Sequence, residues 1–505
     1  MGPLFCSENS HGHVNSLPQI HWHPMKPCLK GRLLPTWIFA LLIFSASSNA
    51  QFNKKQPVTR PFPPQLTQEL ISVRDAALSD DYAYQRLAHL TENIGARPTG
   101  SLQAEAAVNY VADELRKLDL DVHLEDVAVP HWERGLETAE LVEFPGGAPG
   151  TKHKIVLTAL GGSTSTGASG ITADVLVVNS FDALFKFSRQ QVSGKIVLFD
   201  VPFDKRKAAA GNSLEAYGEA VIYRVDGAKN AARLGAVASL IRSVGGADFR
   251  LPHTGYSEDA GIPAGAVTAE DASLIAHLAV QGRVRMHLTL VSERLPDVLS
   301  HNVIADFRGS EHPEQIVVVS GHLDSWDPGT GAIDDAAGVV VAMEAAELLK
   351  KLNLAPKRTL RVIAWMDEEN GGRGHTAYGQ AHQSEFPNFV GAIESDLGAE
   401  HPLGFNSRVS EAALPMLEPI QEVLRSFGAN LIHPTPYSPG ADITEMSKAG
   451  VPAFGVMQEG LTYFNYHHSA ADTLDKVDPR ELRENAAAMA VLAYGLANMP
   501  DVLPR

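Results

Sequence analysis

In the last third of the chain, three apolar runs each break off into acids or a histidine. Val317-Val318-Val319-Ser320-Gly321 leads to His322 and Asp324, Ala364-Trp365-Met366 to Asp367-Glu368-Glu369, and Gly391-Ala392-Ile393 to Glu394 and Asp396. Runs this short and this apolar read as buried strands over residues 315–320, 359–365 and 389–394, with a fourth over 451–457. An amphipathic helical pattern covers 336–352, and a closing helix covers 480–498. Strands alternating with helices imply an α/β fold with a largely parallel sheet. In open sheets of this kind, sites form beyond the carboxyl ends of the strands.

Each signal, taken singly, has an ordinary explanation. His322-Leu323-Asp324 suits a solvated turn, and a run of three acids suits a solvated loop. In Gly331-Ala332-Ile333-Asp334-Asp335, either acid can cap the following helix by accepting its free N–H groups. In Tyr466-His467-His468-Ser469, either histidine is a possible ligand, with Asp472 placed to orient it. Jointly the pattern is harder to dismiss. His322, Asp334, Glu369, Asp396 and His468 supply two imidazoles and three carboxylates, which suits a pair of zinc-type ions sharing one carboxylate. Glu368 is left over as the natural general base, and Asp324 as an acid that supports a ligand imidazole from behind. Three adjacent acids at a strand end repel one another unless cations neutralise them.

The rest of the chain bounds the problem. At 505 residues it exceeds one ordinary core. Net charge is −17, and the first fifty residues contribute +2 from Lys26, Lys30, Arg32 and Glu8, leaving −19 for the remainder. A surface that acidic repels nucleic acid. Lys26, Lys30 and Arg32 precede an apolar run over 33–44 and small residues up to Ala50, the pattern of an export leader cleaved before Gln51. Either Met1 or Met25 is the start. The expected location is therefore secreted or periplasmic, with no membrane span in the mature protein. Cys6 and Cys28 both precede the cleavage site, so cysteine supplies neither disulfide, nucleophile nor ligand. Residues 51–64 form a polar, Pro-rich tether. A mostly helical segment with a strand follows over 65–135, and Ile94 to Gly100 within it is a turn-rich loop. Short β-rich runs dominate 136–292, with helical patterns at 231–234 and 270–278, and carry no ligand cluster of their own, which reads as an inserted β-rich domain before the α/β part at 293–505.

Gly321-His322-Leu323-Asp324-Ser325, Gly331-Ala332-Ile333-Asp334-Asp335, Glu368-Glu369, Glu394-Ser395-Asp396 and His467-His468-Ser469 together resemble the M28 metallopeptidase family, in its carboxypeptidase Q branch. Asp472-Thr473 and the turn Gly440-Ala441-Asp442-Ile443 fit as well. The resemblance covers most of the mature chain. It implies a zinc-peptidase-type three-layer α/β/α domain, with the insertion similar to a protease-associated domain lying over the cleft. It implies that His322 and Asp396 bind one ion, Glu369 and His468 the other, with Asp334 bridging, Glu368 as base and Asp324 as orienting acid. His468 is preferred over His467 because the family ligand precedes a Ser-like position. The implied cofactors are two zinc ions, and the same ligands suit manganese or cobalt. The implied substrates are short peptides, cleaved by an aminopeptidase or a dipeptidase. A homodimer stays open. The rival reading is a non-catalytic binding protein on the same fold, which predicts missing ligands, and none is missing.

Overall fold

The computed structural model describes residues 60–246 and 249–505. The expected leader, its cleavage site at Ala50, Cys6, Cys28 and nearly all of the tether lie outside the described residues. Within them the strands are β1 (Asp121–Glu143), β2 (His153–Ile155), β3 (Leu157–Ala159), β4 (Ile171–Val178), β5 (Ile196–Phe199), β6 (Ala238–Arg242), β7 (Ala264–Val267), β8 (Arg285–Phe307), β9 (His312–His322), β10 (Arg358–Trp365), β11 (Phe389–Glu394), β12 (Pro402–Arg408), β13 (Leu431–Pro434) and β14 (Ala453–Gln458). They join in the order β13-β12-β14-β11-β9-β10-β8-β4-β5-β6-β7-β3, and β1 pairs with β8 and β2. Around β9 the sheet is parallel, through β10, β11 and β14.

Alternate residues of the central strands enter different cores, which explains runs that are apolar throughout. Val317 and Val319 of β9 pack with the helices Ala337–Lys351 and Pro479–Asn498, on which the helix Pro64–Ala77 rests in turn. Ile316 and Val318 pack with Trp365, Phe389, Tyr378 of the helix Arg373–His382, and Met446 of Thr444–Lys448. The result is the three-layer α/β/α arrangement. The helix Ala337–Lys351 differs from its amphipathic reading. It is buried on nearly every side, because the sheet covers one face and other helices cover the rest.

β1 and β8, each 23 residues long, pair from Asp121 opposite Asp306 to Glu143 opposite Arg285. One end of this ribbon joins β10 and the other joins β4. The segment between β1 and β8 contains the helices Ser213–Arg233, longer than the helical pattern at 231–234 suggests, and Ala269–Gln281, which covers the helix expected over 270–278. Gly218, Gly227 and the β-branched Val221, Ile222 and Val225 weaken the local helical signal of the first. No helix of the described residues is long and apolar enough to cross a membrane.

Glu344 lies buried on the helix Ala337–Lys351. One carboxylate oxygen accepts the Ala83 N–H at 3.0 Å, and the other has no partner. Burial, reinforced by Asp80, pushes its carboxyl up to about 8 from 4.5. The folded state therefore holds a proton that the unfolded state releases. Stability is full below the unfolded value and falls as pH rises through about 8. Glu344→Gln should flatten this dependence, raising Tm by about 3 °C at pH 9 and leaving it unchanged at pH 4, as read by calorimetry across pH.

Candidate metal centre

The acid-bearing strand ends converge at one edge of the sheet. His322 closes β9, the Asp367–Glu369 acids follow β10, and Asp396 follows β11. Asp334 precedes the helix Ala337–Lys351, and His468 follows the short helix Tyr463–Tyr466. His322 Nε2 lies 3.2 Å from Asp334 Oδ1 and 3.4 Å from Asp396 Oδ1. His468 Nε2 lies 3.1 Å from Asp334 Oδ2 and 2.9 Å from Glu369 Oε2. Two triads result, His322–Asp334–Asp396 and Asp334–Glu369–His468, with the ligand atoms of each within 4.8 Å of one another. Asp334 gives one oxygen to each.

The donor set fits a pair of divalent cations. Glu369 Oε1 is buried without a hydrogen-bond donor, and Asp334 Oδ2 and Asp396 Oδ1 face only an imidazole nitrogen of the same triads, at 3.1 and 3.4 Å. Buried carboxylate oxygens left so are costly unless a cation meets them. The imidazoles show the same demand. Burial opposes their charged forms, yet Asp396 and Asp334 hold His322 well above its usual value, and Glu369 and Asp334 do the same for His468. Glu368 lies outside both triads but lines the same cavity. Burial, with Asp396 and Glu369 nearby, pushes its carboxyl well above the ordinary range.

Residues 302–493 match the model of peptidase family M28. Carboxypeptidase Q of Homo sapiens is 39% identical over 429 residues, 84% of this chain and 87% of that protein. The chain belongs to peptidase family M28. Within it, the chain is a metallo-exopeptidase of the carboxypeptidase Q branch. The crystal structure of a peptidase M28 precursor from Shewanella amazonensis SB2B superposes with a TM-score of 0.81 at 34% identity, covering 87% of this chain and 98% of that one. An aminopeptidase from Aneurinibacillus sp. strain AM-1 shares the fold at 21% identity and a TM-score of 0.62, covering 86% of this chain and 98% of that one.

In this M28 chain the supporting acids act on backbone more than on imidazole. The Asp324 carboxylate accepts the N–H groups of Asp367, Glu368 and Glu369 at 2.8, 3.2 and 3.3 Å and the Thr99 hydroxyl at 2.8 Å. It stands 3.9 Å from His322 Nδ1, which donates instead to the Asp324 backbone carbonyl at 3.0 Å. The direct carboxylate–imidazole bond expected from the sequence is thus replaced by a clamp on the acidic loop. That loop turns at Asp367, whose φ of 74° is left-handed. Asp335 is the cap, accepting the Gly338 N–H at 2.9 Å and the His322 N–H at 3.0 Å, which leaves Asp334 to the triads. A Cβ on Gly338 would lie 1.9 Å from the Ser395 carbonyl oxygen, so only glycine lets helix and strand ends meet here.

Asp472 does not orient His468. It accepts the Ala332 and Ile333 N–H groups at 2.7 and 2.8 Å, fixing the approach to Asp334. Glu394 likewise accepts the Asp442 and Ile443 N–H groups and anchors that turn. His467 stays outside the triads, stacked on Tyr463 with both ring nitrogens unpartnered. Three contributors had no ligand-like signal. Arg97, fully buried in the turn-rich loop, donates to the carbonyls of Leu323, Thr330 and Gly331 at 2.7, 2.7 and 2.8 Å. Trp326 Nε1 donates to Glu369 Oε2 at 2.6 Å. Arg224 reaches His468 Nδ1 at 3.1 Å from the helix Ser213–Arg233. Trp326, two residues beyond Asp324, was the one within reach of local reasoning.

Proposed function

We propose that the chain hydrolyses short peptides from a free terminus, using two zinc-type ions with Glu368 as general base. His322, Asp334 and Asp396 would hold one ion, and Asp334, Glu369 and His468 the other. The observation that carries this reading is the pair of triads sharing Asp334, with Glu368 in the same cavity but in neither triad. Ions held there polarise a carbonyl oxygen and lower the pKa of water toward neutrality. With cations in the triads offsetting the Asp396 and Glu369 charges that add to burial in pushing the Glu368 carboxyl up, Glu368 would be ionised, accept the proton of the attacking water and pass it to the leaving amine. Asp324 positions it by holding its backbone N–H. Asp472 and Asp335 keep Asp334 facing the cavity.

The cavity, about 360 Å³, is lined by Leu214, Tyr217 and Tyr256 together with Asp334, Glu369, Asp396 and His468 of the triads. A cavity of this volume suits small substrates, and the relatives' names, carboxypeptidase Q and aminopeptidase, support exopeptidase action. A panel of dipeptides, longer peptides and N-acetylated forms, run with added zinc, manganese or cobalt, tests the reading. Rapid cleavage of unblocked dipeptides is the expected result. Efficient cleavage of blocked peptides, or none of any peptide, sinks it. Metal analysis of the native protein identifies the ions. The leader ending near Ala50 and the cysteine-free remainder support export, and N-terminal sequencing of exported protein should read from Gln51.

A further inference from the structure

A cavity that holds several carboxylates also holds one guanidinium, and that cation lacks a counter-charge. Arg224 is 7% exposed. Among the described residues no carboxylate lies within ion-pair distance of it, and it is the only Arg or Lys lining the cavity. Of its five N–H donors, Nη1 donates to the Tyr217 hydroxyl at 2.8 Å and stands 3.1 Å from His468 Nδ1, which carries a proton of its own when Nε2 faces the triad, and the buried Nε has no partner. Buried charges in proteins are normally paired. Its place is also built. A Cβ on Gly255 would lie 2.4 Å from the guanidinium carbon, and the φ of 135° there favours glycine as well.

Position completes the argument. One imidazole ring, that of His468, separates Arg224 from the triad at its other nitrogen. With 3.1 Å on one side of the ring and 2.9 Å to Glu369 Oε2 on the other, the gap suits a carboxylate one residue (~3.8 Å between neighbouring Cα atoms) beyond a bond held at the triad, with a contact at each end. The planar fork of a guanidinium matches a carboxylate with two parallel bonds. On the peptidase reading above, we propose that Arg224, with the Tyr217 hydroxyl beside it, receives the free α-carboxylate of the residue on the leaving side of the scissile bond. Dipeptides thereby become the preferred substrates, and Arg224 is a specificity-determining residue.

The test compares a ketomethylene analogue of alanyl-alanine as acid and as amide, with binding to zinc-loaded protein measured by calorimetry. Wild type should bind the acid at least tenfold more tightly than the amide. Arg224→Gln should weaken the acid about a hundredfold and the amide less than threefold, with Arg224→Lys in between. Equal binding of acid and amide by wild type overturns the proposal, as does an equal loss of both in Arg224→Gln, which marks a structural role. Because binding is read without turnover, these results are independent of whether any peptide is cleaved. Failure of the peptidase reading is seen separately, in the hydrolysis panel.

Discussion

Glu368→Gln should keep its metal and lose about a thousandfold in kcat, within the range of roughly 10² to 10⁴ that general acid–base catalysis supplies. Glu368 has the ligands Glu369, Asp334 and Asp396 as cavity neighbours, yet no atom of it joins either triad. Its backbone is pinned by Asp324, so the amide should occupy the same place as the acid. The amide cannot accept the proton of water, while the cations' ligands remain complete. KM should change little, because binding does not need this oxygen to be basic. Metal content by mass spectrometry together with steady-state kinetics decides the matter. Activity within tenfold of wild type would place the base elsewhere.

Asp334→Asn should cost more. Asp334 meets His322 with one oxygen and His468 with the other, and it alone belongs to both triads. An amide offers one oxygen and no charge, so it cannot serve two cations as a carboxylate does. Both ions should be lost or weakened together, with activity reduced beyond about 10⁴-fold. Asp396→Asn should weaken chiefly one of them. Stability should follow occupancy, because a ligand bound only by the folded state stabilises it by mass action. Wild type should therefore lose Tm when a chelator is added, and Asp334→Asn should show little such shift. A variant that retains both ions would show that Asp334 does not bridge them.

What the sequence made legible follows from range. β9, β10 and β11 were readable because burial on both faces leaves a continuous apolar run, and the change to polar residues at each end marks the edge where the site lies. Asp334 and Asp335 kept both a capping and a ligand reading, since two adjacent acids before a helix look alike until the backbone directs them apart. The contacts of Asp324 and Asp472 differ from the local expectation for a related reason. A carboxylate near a histidine in sequence suggests a side-chain bond, whereas these two hold backbone N–H groups of loops more than forty and more than a hundred residues away. Arg97 and Arg224 meet their partners across 226 and 244 residues, and no local period records such a meeting.

The long pairing of β1 with β8 has a consequence for how such an enzyme can change. The ladder runs on to Glu143 opposite Arg285, and everything between those two, including Arg224 and Tyr217, is a single excursion of the chain from one antiparallel pair. Two strands so paired can be closed by a turn of about two residues. The excursion can therefore be shortened, lengthened or exchanged for another without shifting the register of the strands that end at the metal ligands. On the proposal above, the residue that selects substrate lies on the excursion and the metal ligands lie beyond it, joined through the contacts of Arg224 and Thr254 with His468.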